Sequence, residues 1–174
     1  MTNNNFPELE TDRLLLMRLK TSDWKMISFL RSDQEVNKFV KRSSAATQEE
    51  ALAFIQKINH SIDHQHSYYW KIAERNNDQM IGSICLWNFS EDQKTAEIGY
   101  DLSPDYQGKG MMHESLSRII EFGFQNLNLE FIEAFTHYKN EPSKKLLERN
   151  GFKLMPGKKD EDNYDNIIYK LKSK

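Results

Sequence analysis

The chain has 174 residues, of which 38% are hydrophobic and 29% are charged, and its formal net charge is −2. This length and composition predict one soluble globular domain over residues 1–174 and exclude a disordered chain. The near-neutral charge argues against nucleic-acid binding, and the sequence has no apolar run of about 18 residues that could span a membrane.

The first third of the chain predicts one strand and two helices. The segment RLLLMRL, at residues 13–19, predicts a strand. Thr21 and Ser22 then offer N-caps for a short helix with apolar residues three apart. The segment TQEEALAFIQKINHSI predicts a longer helix, because Thr47 and Glu50 form a capping-box pattern at its start.

Three consecutive strands follow, where the apolar period changes to two. They are SYYWKIAE, MIGSICLWNF and TAEIGYDL, and turn-like segments at residues 76–79 and 90–93 separate them. This pattern predicts an antiparallel meander. The third strand leads through SPDYQGKGMMHES into a helix with Leu116, Ile119 and Phe124 on one side.

The last third predicts the strand FIEAFTH, a short helix in NEPSKKLLERNGF that ends at Gly151, and two closing strands at residues 152–155 and 166–171. The element order β-α-α-β-β-β-α-β-α-β-β predicts a mixed α/β fold. A right-handed strand–helix–strand crossover near its middle places Gly108 and Gly110 at the carboxyl end of a strand, where open sheets bind ligands.

The start of the chain and its single cysteine indicate the compartment. Residues 1–9 lack the basic and apolar segments of a signal peptide, so we expect a cytoplasmic protein. Cys85 lies in an apolar run, which favours a buried side chain over a nucleophile. His60 and His64 are one helical turn apart and could hold zinc, but they lack a third ligand at a recognised spacing, so no metal is expected.

The segment QGKGMM, at residues 107–112, places two glycines around Lys109 at the start of a predicted helix. Unpaired N–H groups at a helix N-terminus, with glycines that allow close approach, suit a diphosphate. Gly110 and His113 stand where the Walker loop and the dinucleotide fingerprint need other residues, so neither pattern fits. From these residues alone, a plain turn without a ligand remains the alternative.

This segment resembles the acyl-CoA loop of the GNAT acetyltransferase superfamily, Q/R-x-x-G-x-G/A, except that Met112 stands where Gly or Ala is usual. We therefore expect a side chain where the backbone is normally open. The stretches ELETDRLLLMRL, AEIGYDLSPDYQGKGMMHESL and NEPSKKLLERNGF are similar to the RimJ/RimL-like branch, the ribosomal-protein N-terminal acetyltransferases. The resemblance implies a GNAT-like fold with a central, mostly antiparallel mixed sheet flanked by helices. It also implies acetyl-CoA as co-substrate, no metal, and direct transfer to a primary amine.

The resemblance also implies roles for individual residues. Glu97 matches a strand carboxylate that serves as general base, and Ser143 matches a serine near the thioester sulfur that serves as acid. The alternatives are a solvated strand carboxylate and a serine that satisfies the helix start. The residues implied in cofactor binding are Tyr100, Leu102, Gln107, Gly108, Lys109, Gly110, Met111, Met112, Asn140 and Ser143.

The acceptor is the least determined part of the prediction. The branch resemblance suggests a protein N-terminus, and a small amine (a polyamine, an amino acid or an antibiotic) is the alternative. A non-catalytic acyl-CoA-binding module and a generic nucleotide-binding domain are alternatives of a different class. The acidic segment KKDEDNYDN is expected to be a solvated loop that could also meet a basic substrate. We expect a monomer or a homodimer.

Overall fold

The computed structural model describes residues 5–174, so residues 1–4 of the polar start lie outside the described part. The strands are β1 (Leu9–Glu10), β2 (Leu14–Arg18), β3 (Tyr68–Glu74), β4 (Asn77–Trp87), β5 (Thr95–Leu102), β6 (Phe131–His137), β7 (Lys153–Leu154) and β8 (Asn166–Lys172). The helices are α1 (Trp24–Ser32), α2 (Gln48–Asp63), α3 (Met111–Gln125) and α4 (Glu141–Arg149). Within residues 5–174, no helix has the length and hydrophobicity needed to cross a bilayer.

The strands form one sheet in the order β1-β2-β3-β4-β5-β6-β8-β7. The neighbouring strands pair antiparallel, except that β5 and β6 are parallel and are connected through α3. The predicted mixed α/β fold, the three-strand meander β3-β4-β5 and the central crossover are confirmed. The two-residue strand β1, which pairs with β2, was not predicted from the sequence.

Helices cover both faces of the sheet and create two hydrophobic cores. On one face, α3 and α4 bury side chains such as Leu116, Ile119 and Leu147. On the other face, α1 and α2 bury Ile27 and Ile55 with their neighbours. Burying one such side chain stabilises the fold by about 1.5–3 kcal/mol, so packing on the sheet holds the helices in place. Strand β3 is buried on both faces, although its sequence has an alternating pattern.

The N-terminus of α2 agrees with the sequence prediction, whereas the N-terminus of α1 does not. At α2, Thr47 Oγ1 accepts from the Glu50 N–H at 3.1 Å and the Glu50 carboxylate accepts from the Thr47 N–H at 3.0 Å, which confirms the capping box. The prediction of Thr21 and Ser22 as caps of α1 is wrong, because both lie in a 3-10 turn before Asp23. Asp23 directly precedes α1, and its buried carboxylate accepts from the Lys20 N–H at 2.7 Å and forms an ion pair with Lys71 at 3.0 Å.

The turn between β3 and β4 is shorter than predicted. It consists of Arg75 and Asn76, and residues 77–79 extend β4. Asn77 pairs with Glu74 of β3, and the Asp78 carboxylate forms an ion pair with Lys71 at 3.1 Å. Polar residues that appear turn-forming in the sequence are therefore held in the strand by partners on β3.

Candidate active site

The loop before α3 has the backbone of a predicted anion cradle. Gly108 and Gly110 have φ angles of +74° and +77°, which are left-handed conformations that favour glycine. The first helical hydrogen bond runs from the Glu114 N–H to the Gly110 carbonyl at 3.1 Å. In residues 5–174, the N–H groups of Gly110, Met111, Met112 and His113 have no acceptor, and we refer to these four as the free amides of α3.

The side chains around this loop leave it open. A Cβ atom on Gly108 would meet no atom within 4 Å, so its surface faces free space. Met112 is only 9% exposed and packs into the core beneath α3, so the expectation that its side chain would cover the loop is wrong. Gln107 is exposed, and its Nε2 donates to the Leu102 carbonyl at 2.9 Å.

Beside the loop, strands β5 and β6 stop pairing partway along their length. Their ladder runs from Thr95–Phe131 to Ile98–Ala134, while β5 continues to Leu102 and β6 continues to His137. The Ser103 N–H donates to Ile81 of the strand on the other side at 2.9 Å. Because main-chain groups alternate in direction along a strand, those of Tyr100 and Leu102 point toward the unpaired gap.

Glu97 lies next to the point where this gap begins. Its neighbour across the ladder is Glu133 on β6, and the Asn88 side-chain amide donates to Glu97 Oε2 at 3.3 Å. Burial raises the pKa of Glu97 to about 7, with smaller contributions from the charges of Asp160 and Glu133, while the Asn88 hydrogen bond opposes the increase. Glu133 is itself neutralised by Lys158, at 2.6 Å. Glu97 can therefore exchange a proton near neutral pH.

Two hydroxyl groups meet on the other face of the sheet. Tyr100 Oη and Ser143 Oγ are 2.7 Å apart, and either hydroxyl can donate to the other. Asn140 precedes α4, and its side-chain oxygen accepts from the Ser143 N–H at 3.3 Å, as the sequence predicts for a helix start. Burial raises the pKa of Tyr100 to about 12, although the Ser143 hydrogen bond lowers it, so the phenol stays protonated at neutral pH.

Glu97 and the Tyr100–Ser143 pair lie on opposite faces of β5. Tyr100 packs against the core under α3, whereas a Cβ on Gly99 would lie 3.2 Å from Cys85 Sγ, on the face of α1 and α2. Alternation along the strand places Glu97 on the same face as Gly99. The unpaired stretch of β5 and β6 is therefore where groups from the two faces can approach each other.

The other candidate residues have structural surroundings. Cys85 packs against the core of α1 and α2, and burial raises the pKa of its thiol to about 12, so the thiol stays protonated. The rings of His60 and His64 lie with their centroids 4.1 Å apart and their planes tilted by 38°. In the described part of the chain, no group of three or more His, Cys, Asp or Glu side chains is arranged to hold a metal ion.

The structure adds residues to this region that sequence reasoning missed. Asn88 has a φ of +49°, a conformation that Asn tolerates better than most residues, and it follows β4 beside Glu97. The sequence analysis placed Asn88 within the predicted strand MIGSICLWNF, whereas β4 ends at Trp87. The Tyr100 hydroxyl was missed because the sequence pointed only to its main chain. Arg13 and Glu114, which brace the loop before α3, carry no local sequence signal because they are 101 residues apart.

Free amides at a helix N-terminus beside an unpaired strand edge form a site that suits an anionic ligand with an extended amide-containing arm. A family model described as an acetyltransferase (GNAT) domain matches residues 13–153. The chain belongs to the GNAT acetyltransferase family, whose members use acetyl-CoA.

Individual relatives agree with this assignment. The chain is 31% identical to the uncharacterized N-acetyltransferase YoaA of Bacillus subtilis over 147 residues, which are 84% of this chain and 83% of YoaA. It is 32% identical over 91 residues to the ribosomal-protein-serine acetyltransferase of Escherichia coli, over 52% of this chain and 51% of that protein. The fold is similar to a solved structure of RimL, a ribosomal L7/L12 α-N-protein acetyltransferase in complex with coenzyme A, with a TM-score of 0.82 at 18% identity, covering 95% of this chain and 98% of RimL.

Proposed function

We propose that residues 1–174 act as one N-acetyltransferase domain that holds the diphosphate of acetyl-CoA at residues 107–112. The free amides of α3 support this assignment, because unpaired N–H groups and the helix dipole favour an anion at that end. Lys109 is exposed beside them and adds a positive charge. The residues present therefore fit the group that the family uses.

The unpaired edge of β5 suits the pantetheine arm of the same molecule. An extended chain with amide groups can add to an exposed strand edge through main-chain hydrogen bonds, here from Tyr100 and Leu102. When bound in this way, acetyl-CoA supplies the thioester that an amine attacks. Main-chain N–H groups at this edge would stabilise the negative charge that develops on the carbonyl oxygen. Asn140 would contribute by holding Ser143 at the start of α4.

Glu97 is the proposed general base, and its position and pKa at the gap are the observation that carries the proposal. A carboxylate with a pKa of about 7 is substantially ionised at neutral pH and is basic enough to take a proton from an amine. As the new N–C bond forms and the C–S bond breaks, the proton leaves the amine for Glu97, either directly or through a water molecule. The acceptor would enter from the face of α1 and α2.

Ser143 is the proposed acid on the opposite face. The Ser143 hydroxyl would donate a proton to the departing thiolate, the protonated Tyr100 phenol, 2.7 Å away, would return a proton to Ser143, and solvent water would restore the phenol. A thiol has a pKa of about 8.5, so it leaves reasonably well without an acid. This acid step is therefore expected to contribute less than the base.

The proposed acceptor is the α-amino group of a protein N-terminus. At neutral pH, deprotonating an α-amine with a pKa of about 8 costs about 1.4 kcal/mol, whereas a lysine side chain near 10.4 costs about 4.6 kcal/mol. A base with a pKa of about 7 is strong enough to deprotonate an α-amine, for which the cost is the smaller of the two. The name of the Escherichia coli relative, a ribosomal-protein-serine acetyltransferase, is consistent with such an acceptor.

Thiol release from acetyl-CoA across a panel of amines tests this function. The panel contains peptides with a free N-terminus, the same peptides with the N-terminus blocked and one lysine present, and small amines such as polyamines and amino acids. We expect the free N-terminal peptides to react at least about 100-fold faster than the blocked ones. If a small amine reacted faster than the free N-terminal peptides, the proposed acceptor would be wrong. If no amine caused thiol release, the chain would be a non-catalytic binding module.

The pH dependence of kcat/KM should follow the ionisation of the Glu97 carboxylate. Because the base must be ionised, activity is expected to rise with pH through about 7 and to fall about tenfold per pH unit below it. Asn88→Gly removes the hydrogen bond that favours the ionised carboxylate, so this limb should move to higher pH without backbone strain at a φ of +49°. Gln93→Gly, at a φ of +58° in the same loop, is the control. An unchanged profile in Asn88→Gly would remove Asn88 from this role.

The hydroxyl pair should act as one unit. Ser143→Ala and Tyr100→Phe are each expected to lower kcat by about tenfold, since general acid catalysis of a good leaving group contributes little more. The kcat of the double variant should also be about tenfold below that of the original chain, because both substitutions interrupt the same proton path. Multiplicative effects in the double variant would show that the two hydroxyls act separately.

A further inference from the structure

Arg13, which immediately precedes β2, reaches across to the loop before α3. Its Nε donates to Glu114 Oε2 at 2.7 Å, and its Nη1 donates to the Lys109 carbonyl at 2.9 Å. The Arg13 main-chain N–H and the Thr11 hydroxyl both donate to Glu114 Oε1. One arginine therefore ties the loop to a segment of the chain that is 96 residues away from Lys109.

The hydrogen bond to Lys109 controls the direction of a free amide. In a trans peptide, the carbonyl of one residue and the N–H of the next point in opposite directions. Because the Lys109 carbonyl points at Arg13, the Gly110 N–H of the same peptide points away from Arg13. A Cβ on Gly110 would lie 3.4 Å from Arg13 Nη2, so the guanidinium also occupies the space beside this glycine.

Arg13 also balances the charge of a carboxylate in the first turn of α3. Partial burial opposes the ionisation of Glu114, but the hydrogen bonds from Thr11 and Arg13 together lower its pKa, so it is ionised at neutral pH. An unpaired negative charge there would repel a diphosphate bound at the same helix end. The guanidinium pairs with that charge through its Nε.

We propose that Arg13 is a positioning residue for acetyl-CoA binding, which directs the Gly110 amide toward the diphosphate and neutralises Glu114. This inference rests on the proposed role of residues 107–112. Within residues 5–174, the polar partners of the Arg13 side chain are Glu114 and Lys109, so its effect should be confined to co-substrate binding.

The first test compares two arginines of similar exposure. Arg13→Met is expected to raise the Kd for CoA by about tenfold or more, with kcat at saturating acetyl-CoA within about twofold of the original chain. Arg75→Met is the matched control, because Arg75 donates to the Thr11 carbonyl at 2.7 Å and pairs with Glu10 but does not touch the loop. Its side chain is 43% exposed, against 47% for Arg13. Equal Kd values for CoA in both variants would overturn the proposal.

The second test uses the charge of Glu114. Adding Glu114→Gln to Arg13→Met removes the unpaired carboxylate, so the double variant should bind CoA about threefold or more tighter than Arg13→Met. A purely structural brace predicts equal or weaker binding in the double variant, and that result would reject the electrostatic role. Arg13→Lys keeps the charge but not the guanidinium fork, and we expect an intermediate Kd even if Arg13→Met folds poorly.

The variant Gly110→Val separates this inference from the proposed function. If Gly110→Val binds CoA as tightly as the original chain, the assignment of the loop fails. If Gly110→Val loses CoA binding while Arg13→Met keeps it, the loop assignment stands and the role of Arg13 fails.

Discussion

Replacing Glu97 with Gln is expected to lower kcat by about 10²–10⁴-fold while leaving the Kd for CoA unchanged. Gln has the shape of Glu but cannot accept the amine proton. The loop proposed to bind the diphosphate is formed by residues 107–112, and its free amides do not contact Glu97. Binding of CoA and catalytic turnover should therefore separate in this one variant. Thiol release measures kcat, and titration calorimetry measures the Kd.

Glu130→Gln is the control for this substitution. Glu130 lies just before β6, at the paired end of the strands, where its exposed carboxylate is 3.6 Å from Lys94. It should keep the kcat of the original chain, because it lies at the end opposite the gap. If Glu97→Gln retained a kcat within about threefold of the original, Glu97 would be a partly buried strand carboxylate without a role in proton transfer.

The sequence predicts the features of this fold that depend on local pattern. Strand β5 was predicted with the bounds that the structure has, Thr95–Leu102, because polar segments limit an alternating stretch on both sides. The capping box at Thr47 and Glu50 and the glycine-rich start of α3 were predicted for the same reason. Each of these signals is contained within a few neighbouring residues.

The features that were missed depend on partners far away in the chain. Asp23, which precedes α1, forms an ion pair with Lys71, 48 residues away. Tyr100 meets Ser143 across 43 residues, and Arg13 meets Glu114 across 101 residues. No local period or spacing encodes such contacts, since they form only when the sheet brings distant segments together. The same limit applies to the pKa of Glu97, which depends on burial and on residues of β6 and the acidic loop.

Replacing Gly110 with Val is expected to weaken CoA binding by about 100-fold or more. A branched side chain at a φ of +77° costs roughly 1–2 kcal/mol, so the loop is expected to change its backbone conformation, and the new Cβ would lie 3.4 Å from Arg13 Nη2. The free amides of α3 would then point away from the diphosphate. A hydrogen bond to a charged group contributes about 1.5–3 kcal/mol, so losing one or two accounts for a change of this size.

Gly151→Val separates the loss of binding from general strain. Gly151 has a φ of +87° after α4, and its Cβ would lie 3.5 Å from Leu171, so Val is strained there as well. Both variants should have a lower Tm, because each forces a branched residue into a left-handed conformation. Only Gly110→Val should lose affinity for CoA in calorimetry. Because the proposed base, Glu97, lies on the face of β5 opposite α3, turnover of Gly110→Val should recover at high acetyl-CoA concentration. If Gly110→Val kept the Kd of the original chain despite its lower Tm, the diphosphate would have to bind away from the start of α3.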